Sequence, residues 1–173
     1  AIFFVTVFAV AWLIRPWHLG WRLFLIVASY FFYAYWDARF TLLLFGSTWV
    51  NYFLGELVAR EFEPPGLLTT RGRWVIGAGV AFNLCILGWF KYYGFFASAL
   101  IDAGARAGLD VPLPLLQITL PIAISFFTFH AISYLVDIGR GQVRPMSFVD
   151  FALYLSFFPH LVAGPIVRVT EFA

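Results

Sequence analysis

The chain has 173 residues, of which 62% are apolar and only 12% charged, with a formal net charge of +2. An ordinary soluble domain runs near 25% charged and 45–50% apolar, and a chain this small keeps most of its residues in contact with water. The composition therefore excludes a soluble domain, a disordered chain and a nucleic-acid binder with a basic face, and it predicts a polytopic membrane protein.

A spanning helix needs about 20 mostly apolar residues. Read in chain order, six segments qualify: residues 1–14, 19–35, 40–59, 74–90 with an apolar continuation to 100, 115–136, and 148–163. The sixth is short and interrupted by Pro159. The separators carry helix breakers: Arg15-Pro16-Trp17-His18, Trp36-Asp37-Ala38-Arg39, Glu63-Pro64-Pro65-Gly66, Asp110–Pro114 and Gly139-Arg140-Gly141. Proline removes an N–H and glycine frees the backbone, so each pattern stops a helix by mechanism. The predicted fold is an all-α transmembrane bundle of about six segments, the last one broken. The sequence starts inside an apolar run and holds one methionine, Met146, which reads as an internal piece of a longer protein.

Arginines set the expected orientation. Arg15, Arg22, Arg60, Arg71, Arg73, Arg140 and Arg144 fall on the first, third and fifth connections, against Arg39, Arg106 and Arg168 on the others. Positive residues stay cytoplasmic, so the first, third and fifth connections are expected inside, with Arg22 snorkelling from the second span. Lys91, in LGWFKYYGFF, reads as a helix-end anchor among aromatic rings, or more sharply as a charge lining a polar cavity. Cys85 is the only cysteine and reads as a small packed residue. Gly77, Ala81, Leu84 and Gly88 form a stripe suited to close helix packing.

In the fifth segment Thr119, Ala123, Phe126, His130, Ser133 and Asp137 fall on one helical face, and Leu120, Ile124, Phe127, Ala131, Leu135 and Ile138 on the other. The first face is expected against protein or water, the second against lipid. His130 reads as a histidine bonded within the bundle, or as a proton carrier. Asp137 and Arg140 are expected to pair at spacing i, i+3. His18, His130 and His160 show no metal-ligand spacing, and no metal is expected. The sixth segment ends in PHLVAGPIVR, where Pro159, Gly164 and Pro165 break the helix near membrane depth. Such breaks are tolerated only where protein or a cavity shields them. Arg168 reads as an interfacial charge, or as a holder of a phosphate or carboxylate.

The blocks SYFFYAYW (29–36), NYFLG (51–55), GWFKY (88–92), LPIAISFFTF (120–129), SYLVDIGRG (133–141) and SFFPHLVAGPIVR (156–168) resemble the membrane-bound O-acyltransferases, of the bacterial alginate O-acetyltransferase and D-alanyl-transfer type. The resemblance covers nearly the whole chain, and its last two blocks are the specific ones. It implies that residues 1–173 are the amino-terminal part of one such transmembrane domain, in a bacterial inner membrane. It also implies that the catalytic histidine lies beyond Ala173, so neither His130 nor His160 inherits that role. The implied reaction moves an acyl group, most simply acetyl, across the bilayer for O-acylation of an extracytoplasmic polysaccharide such as alginate. The donor would be an acyl-CoA or acyl-carrier thioester, used as substrate with no bound cofactor. Partners implied are the lipid bilayer, an extracytoplasmic transferase and the polysaccharide acceptor, with no nucleic acid. His130, Ser133, Asp137, Pro159, His160, Gly164, Pro165 and Arg168 are then the candidate channel-lining or motif residues. The rival readings are a transporter, where polar stripes and broken helices also occur, and a non-catalytic membrane scaffold.

Overall fold

A computed structural model describes residues 2–63, 66–108 and 119–163. Among these residues the fold is all-α apart from one hairpin of two two-residue strands. Helix α1 (Ile2–Ile14) stops where Arg15-Pro16 removes a backbone donor. Helix α2 (His18–Trp36) and α3 (Ala38–Arg60) are separated by Asp37 alone. That residue closes one helix and opens the next: its N–H bonds Tyr33 O, and its carboxylate accepts the Arg39 N–H at 2.8 Å. The third connection holds strands β1 (Phe62–Glu63) and β2 (Leu67–Leu68), paired antiparallel. Thr69 then caps α4 (Thr70–Arg106), its Oγ1 accepting the Gly72 N–H at 3.0 Å and donating to Glu61 at 2.9 Å.

Helix α5 (Ile124–Gly139) starts later than the hydropathy pattern suggested. Residues 119–123 are non-helical, and Ala123 takes a left-handed φ of 61° directly before the helix. The Tyr33 hydroxyl of α2 donates to Ile122 O at 2.6 Å and fixes that entry. Ser147 caps α6 (Phe148–Ser156). The chain then breaks at Phe157 and resumes as α7 (Phe158–Ala163). Helices α3 and α4 are each long and apolar enough to cross a membrane.

Helix α5 lies at the centre, packed by α4, α3 and α6. Its apolar face, expected against lipid, is the core instead: Ile124, Phe127, Ala131, Leu135 and Ile138 are all 2% exposed or less. The polar side of α5 is buried too, at His130 and Asp137, and only Phe129 is exposed along this helix. Lipid and protein core are equally apolar, so hydropathy cannot tell which apolar face is which. The same ambiguity misplaced the α4 stripe. Gly77, Ala81 and Leu84 are exposed and nothing lies within 4 Å of a side chain placed at Gly77 or Gly88. The packed face carries Gly72, Gly79, Asn83 and Leu87. Cys85 is exposed rather than packed.

The first, third and fifth connections meet at one end of the bundle. Trp21 and Arg22 share a cavity with residues 143–147, and Gly139 lies against Leu68 and Ile76. This is the grouping the arginine pattern anticipated.

Candidate functional site

Two buried polar groups cross the bundle. The first joins α3 to α4. Asn51 and Asn83 exchange side-chain amide bonds, at 3.2 and 2.6 Å. Each also donates to the preceding turn of its own helix, Asn51 to Ser47 O and Asn83 to Gly79 O. Both are buried, at 0% and 1% exposure. The sequence reading missed this pair, although an asparagine inside each of two apolar runs is the kind of signal that marks a helix contact.

The second group lies between α5, α6 and α7. His130 is wholly buried, its ring 5.2 Å from that of Tyr154 on α6. His160 on α7 is within electrostatic reach of His130, and Asp137 is within reach of Tyr154. Ser133 donates to Asp137 Oδ2 at 3.2 Å. Arg140 is exposed and makes no ion pair with Asp137; the carboxylate turns back along its own helix to Ser133 instead. Two residues before His130, Thr128 is buried with its hydroxyl unpartnered among the described residues. Of the sequence candidates, His130, Ser133, Asp137 and His160 are thus gathered along one seam, joined by Tyr154, which the sequence did not single out. Gly164, Pro165 and Arg168 lie outside the described residues.

The break that delivers His160 is built from proline chemistry and one serine. In a continuous helix, Pro159 would leave the Leu155 carbonyl without its donor and press against it. The chain yields at Phe157, and Pro159 falls in the first turn of α7, where no N–H is required. The Phe158 N–H donates to Ser29 Oγ at 3.2 Å, while that hydroxyl donates to Leu25 O at 2.7 Å. The Phe157 N–H reaches Leu153 O, and the His160 N–H reaches Phe157 O. The break therefore keeps its donors satisfied inside an apolar environment.

Lys91 is exposed, with its ammonium 5.4 Å from the Tyr92 ring. This is the anchoring geometry rather than a cavity lining. Among the described residues no three His, Cys, Asp or Glu side chains converge as a metal set.

The sequence that builds this bundle is similar to those of several curated O-acetylases. The chain is 42% identical over 152 residues to a probable alginate O-acetylase AlgI of Pseudomonas aeruginosa, covering 87% of the chain and 28% of that protein. It is 40% identical over 154 residues to that of Pseudomonas syringae pv. tomato, covering 88% and 29%. It is 35% identical over 175 residues to a peptidoglycan O-acetyltransferase of Helicobacter pylori, covering 87% and 31%. Over most of its length the chain is a homologue of the alginate O-acetylases, which is consistent with the resemblance its sequence blocks carry. It spans under a third of the length of these relatives. No family model and no solved structure matches the chain.

Proposed function

We propose that this chain is the helical scaffold of a multi-pass inner-membrane O-acyltransferase that carries an acetyl group across the bilayer to the hydroxyls of an extracytoplasmic polysaccharide. The observation that carries the reading is the 42% identity to a probable alginate O-acetylase over 87% of the chain. The peptidoglycan O-acetyltransferase relative has a different polymer in its name and the same transferred group, so acetyl transfer to a sugar hydroxyl is the common chemistry. The donor is a cytoplasmic acetyl thioester. The acceptor is alginate or a similar polymer, reached directly or through an extracytoplasmic transferase.

In this reading the His130–Tyr154–Asp137 seam and the α6–α7 break form part of the channel wall. The general base is a histidine of the complete protein outside these residues. A buried base raises the nucleophilicity of the acceptor hydroxyl, and the dry wall keeps the thioester from hydrolysis. The arginine-rich end faces the cytoplasm.

The test is polymer acetylation in cells that depend on the complete protein. Deleting its gene abolishes O-acetyl groups on the polymer, and re-expression restores them. His130→Ala lowers acetylation at unchanged protein level. An acetylated polymer in the deletion strain would refute the function, and full activity of the His130 variant would refute the wall assignment.

A further inference from the structure

We propose that the groove between α1 and the α6–α7 break binds one anionic phospholipid of the cytoplasmic leaflet, with a tail along α1 and its phosphate at Arg15 and Arg144. Phe4, Phe8, Ala11, Trp12 and Arg15 line the groove from α1, over a floor made by Leu25 and Phe158. The groove encloses about 410 Å³. Its floor is buried, whereas the rim at Phe4, Phe8 and Trp12 is more than half exposed. From Phe4 to Arg15 the groove runs roughly 16 Å at the helical rise of about 1.5 Å per residue. That equals about half of the ~30 Å hydrocarbon core, the depth of one leaflet. Arg15 ends the groove at the arginine-rich end of the bundle, where headgroups lie.

A second cavity of about 570 Å³ adjoins the first at Trp21, which lines both. It contains Arg22, Arg144, Ser147 and Asp150. The Asp150 charge is already engaged, by Arg22 at 2.8 Å and by Ser147 Oγ at 2.6 Å. Among the described residues Arg15 and Arg144 have no acidic partner, and Arg15 stands over the Trp12 ring at 5.6 Å. An apolar slot one leaflet deep that ends at Arg15, with Arg144 in the adjoining cavity and both guanidinium groups without an acidic partner among the described residues, has the charge and shape of an anionic lipid. Because the N–H groups at the break are bonded internally, a hydrocarbon tail lies against it without stranding a donor.

The inference rests on the membrane reading above, and the two fail separately. The complete protein is delipidated in mild detergent and titrated, under native mass spectrometry, with phosphatidylglycerol or with phosphatidylcholine bearing the same tails. Phosphatidylglycerol is expected to bind about tenfold more tightly. The double variant R15Q/R144Q removes that preference. Ala11→Phe, which fills the groove, weakens both lipids about tenfold; Trp12→Ala at the exposed rim gives a smaller loss and serves if the filled groove prevents folding. Equal binding of the two lipids by the unaltered protein would overturn the proposal, as would a preference that survives loss of both arginines. Displacement of phosphatidylglycerol by acetyl-CoA would also overturn it, by assigning the phosphate site to a soluble donor. A protein that stays in carbonate-washed membranes but shows no lipid preference loses this inference and keeps its membrane assignment.

Discussion

Two residues, Asn51 and Asn83, illustrate how much a buried polar pair depends on both members. Each amide satisfies the other inside an apolar contact. Replacing one leaves its partner buried with an unmet group, a loss of about 1–3 kcal/mol, whereas replacing both with apolar residues is nearly neutral. Thermal unfolding of the complete protein in detergent is expected to show Asn51→Leu and Asn83→Leu each lowering the midpoint, with the double variant recovering most of the loss. Additive losses would contradict the pairing. Glycine gives a second contrast. A side chain at Gly55 would come within 2.6 Å of the Tyr134 ring, which is itself held by the Met146 N–H and packed 4.4 Å from Phe151. Overpacking of this kind costs about 1–3 kcal/mol. Gly55→Ala should therefore destabilise, while Gly77→Ala, which meets open space, should leave the unfolding midpoint unchanged or slightly raised.

Among the elements, the shortest one depends most on its neighbours. Helix α7 has six residues, too few to hold alone, and its first N–H hangs on the Ser29 hydroxyl of α2. Ser29→Ala should raise amide hydrogen exchange across Phe158 and His160 by several-fold, with little change in α3. Unchanged exchange there would mean that side-chain packing, not the serine, fixes the break. Helix ends were the most legible part of the sequence. Arg15-Pro16, Asp37 and Gly139-Arg140-Gly141 all stop helices where backbone chemistry demands. The late start of α5 was hidden because residues 115–123 are as apolar as a helix; Pro121 signals a bend there, but not the left-handed turn at Ala123. The faces of α4 and α5 were illegible for a different reason: an apolar side chain gains as little from lipid as from core. His130, Ser133, Asp137 and His160 drew attention because polar groups inside apolar runs stand out, but Tyr154 hid among aromatic neighbours that look alike.

At the scale of the whole molecule, three connections gather at one end and make orientation a single measurable property. With the exposed Cys85 replaced by alanine, Gln142→Cys should react with a membrane-impermeant thiol reagent only from the cytoplasmic side, and Ala38→Cys only from the opposite side. Labelling of both from one side would refute the arrangement. Helix α4 adds a consequence of its length. Its 37 residues extend roughly 55 Å, well beyond the ~30 Å that hydrocarbon fills. Its outer half carries Phe95, Phe96 and Leu100, all exposed and apolar, so they seek hydrocarbon too. A rod longer than its solvent slab leans over or thickens the slab around it. Reconstitution into bilayers of graded acyl length should change the tilt of α4, read by oriented infrared dichroism, with the steepest lean in the thinnest bilayer. This helix would then act as a gauge of its surroundings, making membrane thickness a mechanical input to whatever the bundle holds.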